Sequence, residues 1–173
     1  RNLTGRRSDT DTLDPKYNLD QVEWDLHLAR ALGLDAVNLR LEPRSNADSA
    51  KSIQLLHELR QRVPDIGVNV ACGRGSTLDT HEGYARILDG CDADVRILID
   101  TAALIEAELD VIQFIETAGP RIGLVHLCDT DGQSPVPMGQ GTLPLKVLIK
   151  SLATVGYAQP MVINPDRVVP IAA

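Results

Sequence analysis

Ile122-Gly123-Leu124-Val125-His126-Leu127-Cys128-Asp129 is the stretch on which the fold reading turns. Its first six residues run almost without polar interruption, and Asp129 follows close behind. A strand covered on both faces reads this way, whereas a half-exposed strand alternates apolar and polar. The next such run upstream is Val95–Ile99, again closed by a carboxylate, in Asp100-Thr101. Further out lie Gly67–Ala71, Ala36–Leu41 and, downstream, Pro160–Ile163. The starts of these five runs fall 27 to 38 residues apart, which suits repeated strand–helix units.

The gaps carry helical periodicity. Leu19, Val22, Leu26, Ala29 and Leu32 recur at helical spacing, and Gly33 stands where a helix C-cap belongs. Ile53, Leu56, Leu59 and Val63 form a second stripe, stopped by Pro64. Tyr84, Ile87 and Leu88 precede Gly90, and Leu109, Ile112 and Ile115 precede Gly119-Pro120. Leu145, Leu148, Ile149, Leu152 and Val155 make the fifth stripe, with Pro144 at its start and Gly156 after it. Residues 1–16 read as a polar loop or arm. The order is helix then strand, five times over. Two α/β architectures fit it: an open doubly wound sheet, or part of a (β/α) barrel of the TIM type. Gly73-Arg74-Gly75 after the second strand lacks the third glycine of a dinucleotide-binding turn.

Composition excludes some classes. The chain has 173 residues, enough for a single domain with a real core. Its 24 acidic against 17 basic residues give a net charge of -7, contrary to the basic face of a nucleic-acid binder. No apolar run reaches the length of a membrane span, so neither nucleic acid nor membrane is an expected partner. Cys72, Cys91 and Cys128 cannot all pair and show no zinc-knuckle spacing, which suits reduced thiols in the cytoplasm. Aromatics make up 3%, leaving the core to Leu, Ile, Val and Ala.

In either architecture a site forms at the carboxyl ends of the strands. Arg40, Glu42 and Pro43 follow the first strand, and Ala71-Cys72-Gly73 the second. Asp100 ends the third; it is either a functional carboxylate or a helix N-cap or salt-bridge partner. His126 lies in the fourth, as a satisfied core residue or a ligand, and Asp129 three residues later strengthens the second reading. Asn164 and Asp166 end the fifth. Gly139-Gln140-Gly141 offers backbone N–H groups to an anion ahead of the last helix.

Ile99-Asp100-Thr101, Val125-His126-Leu127-Cys128-Asp129, the Gly139-Gln140-Gly141 loop and Val155-Gly156-Tyr157 before a last strand resemble the late half of the xylose-isomerase-like barrels. That superfamily includes sugar and sugar-phosphate isomerases, epimerases, 3-dehydroshikimate dehydratase-like lyases and endonuclease IV. The resemblance covers residues 18–166 and is most specific over 95–164. It implies that the five strands are the fourth to eighth of an eight-unit barrel. The chain, 1–173, is then a single barrel domain lacking its first three strands, and self-association or a second chain would complete it.

The resemblance also implies a divalent metal, Mn²⁺ or Mg²⁺, held by two Glu, one Asp and one His. Asp100 matches the Asp and His126 the His. Where the glutamates belong stand Ala71 or Cys72, and Asn164. An Ala, Ala103, replaces a further His. The implied roles are therefore His126 and Asp129 in catalysis, Asp100 and His126 on metal, and Asn164, Arg40 and Glu42 on substrate. The expected function is a sugar or sugar-phosphate isomerase or epimerase acting on a small polyhydroxylated substrate through an altered metal site, with lyase chemistry also open. The alternative is a non-catalytic ligand-binding or regulatory relative that kept the barrel. Endonuclease chemistry is disfavoured, because His27, His57 and His81 fall on or beside predicted helices.

Overall fold

The computed structural model describes residues 3, 15–41, 46–71, 76 and 78–163. Glu42, Pro43, Cys72, Gly73-Arg74-Gly75, Asn164 and Asp166 lie outside the described residues. Helix α1 (Pro15–Ala31) buries Leu19, Val22, Leu26 and Ala29, but leaves Leu32, beyond its end, 65% exposed. Gly33 closes it in the left-handed region at φ +70°, which a side chain would disfavour. Then follow β1 (Ala36–Arg40), α2 (Asn46–Arg62), β2 (Gly67–Ala71), α3 (His81–Gly90) and β3 (Val95–Asp100). The predicted fourth helix is α5 (Val111–Ala118), preceded by the short α4 (Thr101–Glu106). Strand β4 (Ile122–Leu127) leads to a two-stranded hairpin, β5 (Asp129–Thr130) with β6 (Pro135–Val136). Helix α6 (Leu145–Thr154) and β7 (Met161–Ile163) complete the order. Neither α4 nor the hairpin has a signal in the hydrophobic pattern. The polar N-terminal segment is not wholly solvent-borne, for Leu3 is buried and donates its N–H to the Arg40 carbonyl at 3.0 Å.

The main sheet is parallel throughout and runs β1-β2-β3-β4-β7, in strict chain order. A doubly wound sheet reverses direction at a switch point; this one does not. The helices form one outer layer, with α1 against α2, α2 against α3, α3 against α5 and α5 against α6. Sequential strands with helices on one side make five units of a (β/α) barrel, so the open doubly wound alternative is excluded.

One hydrophobic cluster lies between sheet and helices. Leu39, Val68, Val70, Val95, Ile97, Ile99, Ile122, Val125 and Leu127 enter it from the strands. Leu98 is buried yet outside that cluster, because it points to the opposite, inner face. Register then assigns the rest of the inner face. Asn38 pairs with Asn69 and Asn69 with Arg96; Arg40 pairs with Ala71 and Ala71 with Leu98; Asp100 pairs with His126 and His126 with Val162.

Candidate functional site at the carboxyl ends of the strands

Simple alternation from Ile122, which faces the helices, would put His126 in the helix-side core as well. The ladder between β3 and β4 prevents this. Ile97 pairs with Ile122 but Leu98 pairs with Leu124, so Gly123 is an extra residue in β4. The bulge shifts the phase by one residue, turning Leu124 and His126 inward and Val125 and Leu127 outward. A side chain at Gly123 would collide with Oδ1 of Asn69 and stand 2.9 Å from Cβ of Arg96. Glycine is what the bulge requires.

Asp100 and His126 are thereby register partners on adjacent parallel strands and leave the same face. Their Cα atoms lie about 4.8 Å apart, the spacing of paired strands. Asp100 has a second task as N-cap of α4, accepting from the Ala103 N–H at 3.0 Å. Of the two readings left open by the sequence, the N-cap is the one this hydrogen bond shows. Thr101, fully buried, locks this end of the sheet. Its hydroxyl donates to the Cys128 carbonyl at 2.7 Å and accepts from the Cys128 N–H at 2.9 Å, joining the ends of β3 and β4.

Asp129 does a different job. Its carboxylate, 2% exposed, accepts four backbone N–H groups: Thr130 and Leu143 on Oδ1, Gly139 and Gly141 on Oδ2, all at 2.9–3.0 Å. The Gly139-Gln140-Gly141 amides do approach an anion, and that anion is the chain's own Asp129. Burial alone would raise its pKa. The N–H groups of Gly141, Leu143, Gly139 and Thr130 lower it by more, leaving it below the ordinary 3.8. With both oxygens so engaged, Asp129 is a positioning residue that folds the loop from β5 to α6.

Arg40 ends β1 on the inner face and is exposed. Below it lies a polar layer without counterpart in the sequence reading: Asn69 donates from Nδ2 to Oδ1 of Asn38 at 3.0 Å, with Arg96 alongside. The signal was present, since Asn38, Asn69 and Arg96 interrupt apolar strands at positions that share a face with Arg40 and Asp100. It became readable only once the register was known. Glu42 and Asn164 lie outside the described residues. A groove of about 500 Å³ lies elsewhere, on the flank of β1 between Leu28, Leu32, Leu34 and Val37.

The donor set on the inner face tests the implied metal. Asp100 and His126 stand side by side, but their neighbours in the ladder, Ala71 two residues below Asp100's level on β2 and Val162 on β7, carry no donor. Among the described residues no group of three His, Cys, Asp or Glu comes together. A hard divalent cation takes six or more oxygen ligands, and Asp100 and His126 supply a single carboxylate between them. The described residues do not fit such an ion.

The fold is shared with known proteins. The curated relatives include an uncharacterized protein YihM of Escherichia coli, 24% identical over 83% of this chain, and a D-psicose 3-epimerase of Enterocloster bolteae, 25% identical over 75%. The chain spans 48% and 44% of their lengths, about half of each. Among solved structures, the IOLI protein with a bound zinc atom superposes with a TM-score of 0.78 at 18% identity, over 94% of this chain and 64% of that one. An L-ribulose 3-epimerase gives 0.76 at 20%, over 96% and 61%. No helix among the described residues is long and apolar enough to cross a membrane. Residues 7–169 match the family model of the xylose isomerase-like TIM barrel, and the chain belongs to that family.

Proposed function

We propose that the chain is a sugar isomerase or epimerase-like protein that binds a small polyhydroxylated substrate on the inner face of its sheet, with Asp100 and His126 as the residues of the family's metal-ligand pattern that remain among the described ones. The observation that carries this reading is the register pairing of those two residues, aimed inward by the bulge at Gly123, in a family whose relatives include ketose 3-epimerases. Isomerisation and epimerisation both move a proton at a carbon beside a carbonyl. An imidazole within reach of the substrate supplies the general base, and a neighbouring carboxylate orients it. His126 takes the first role and Asp100 the second.

The test is proton exchange. D-psicose, D-tagatose and D-fructose are incubated with the protein in heavy water, and loss of the carbon-bound proton is followed by NMR. Exchange that His126→Ala abolishes without lowering the melting temperature supports catalysis. Binding without exchange favours the non-catalytic reading, for which the donor-free Ala71 and Val162 speak. Mn²⁺ should leave the melting temperature unchanged, since the described residues do not fit it and a metal that bound the native state would raise it. We also propose that further βα units cover the flanks of β1 and β7. Leu28, Leu32, Leu34, Met161, Val162 and Ile163 are all exposed there.

A further inference from the structure

Charge pairing on this protein is uneven in an informative way. Arg30, Arg60, Arg62 and Arg86 each hold a carboxylate, and Arg121 holds the carbonyls of Leu88, Asp92 and Val95. Among the described residues the two remaining arginines, Arg40 and Arg96, have neither kind of partner. Both lie on the inner face, two rungs of the ladder apart. In a chain of net charge -7, partners are plentiful elsewhere. Two guanidinium groups on one face, without a partner among the described residues, raise a positive potential there.

The two are not equivalent. The Arg96 guanidinium folds back over Gly67, toward the amino-terminal end of the strands, with Nη2 at 2.9 Å from where a Cβ would stand. Arg40 ends β1, at the rim where barrel sites form. Its pairing level, shared with Ala71 and Leu98, is two residues below Asp100. Neighbouring strands lie about 4.8 Å apart, so Arg40, two strands from Asp100 and three from His126, reaches the near end of a sugar-sized ligand seated on that pair.

We propose that Arg40 selects substrates carrying an anionic group, a carboxylate or a phosphate monoester, with Arg96 as a fixed charge beneath. This rests on the polyol-binding reading above. A guanidinium grips either anion through two parallel N–H···O bonds, which a neutral ketose cannot accept in the same way.

Calorimetry on the 173-residue chain tests it, with D-gluconate, D-glucose 6-phosphate, inorganic phosphate and D-fructose as probes. The expected result is at least about tenfold tighter binding of an anionic sugar than of D-fructose, weakening as salt rises. Gluconate against glucose 6-phosphate identifies the anion, and inorganic phosphate shows whether the anion alone suffices. Arg40→Gln should collapse the preference and Arg40→Lys should keep part of it. Because Arg40 is exposed, both variants should melt like the wild type. Equal binding of charged and neutral sugars, or a preference that survives Arg40→Gln, overturns this inference and leaves the polyol reading standing. Failure of every sugar to bind overturns both.

Discussion

Asp129→Ala tests the division of labour at the site. The substitution removes the acceptor of four backbone N–H groups at once. The amides of Gly139 and Gly141 belong to half-buried or exposed residues, and water can replace the carboxylate there. Thr130 and Leu143 are 0% and 8% exposed, so their N–H groups are orphaned. An orphaned buried donor costs about 1–3 kcal/mol, which makes the expected loss about 4 kcal/mol. At about 2–4 °C per kcal/mol for a chain this size, the melting temperature should fall by roughly 8–16 °C. Asp129→Asn keeps one acceptor oxygen but sets an NH₂ against backbone donors, and should lose about half as much. The pH dependence has a definite sign. The folded pKa lies below 3.8, so the stabilisation is fully present above 3.8 and is lost as pH falls through the lower folded value. The gap between wild type and Asp129→Ala, measured by thermal unfolding, should hold from pH 7 to 5 and close below about pH 4. An Asp129→Asn protein that melts like the wild type but loses proton exchange would refute the reasoning and return Asp129 to the catalytic role.

Three further outcomes follow from the geometry. Gly123→Ala should cost about 1–3 kcal/mol by overpacking against Asn69 and Arg96, read by denaturant unfolding, and pairing it with Asn69→Ala should recover part of the loss. Thr101→Val should cost about 2–3 kcal/mol, because both the N–H and the carbonyl of Cys128 lose their partner; a melting temperature within a degree of wild type would contradict it. The isolated chain should associate through its exposed edges and flanks, which sedimentation equilibrium would detect as a concentration-dependent mass, with Val162→Lys shifting it toward monomer. Trp24, the single tryptophan and 71% exposed on α1, reports the same event; a monomer at high concentration with fully quenchable Trp24 counts against it.

The sequence by itself determined the repeat of five helix–strand units, since buried parallel strands and amphipathic helices each leave a periodic trace in one dimension. β2 and β4 matched their predicted residues, while β1, β3 and β7 each moved by one residue at an end. Resemblance of the stretches around Asp100 and His126 already pointed to the family. Four matters were left to the tertiary structure. Barrel and doubly wound sheet share the same element order, and only strand order and the side taken by the helices separate them. The role of Asp129 depended on a loop folding back from ten to fourteen residues away. That Arg40 and Arg96 have no carboxylate partner among the described residues depended on where the other described carboxylates went. The direction of His126 depended on the bulge at Gly123, because a period-two reading of Ile122–Leu127 assigns the histidine to the helix-side core. A strand's own sequence carries its alternation, but not the residue at which a neighbour's ladder skips, and one skipped residue turns every later side chain to the opposite face.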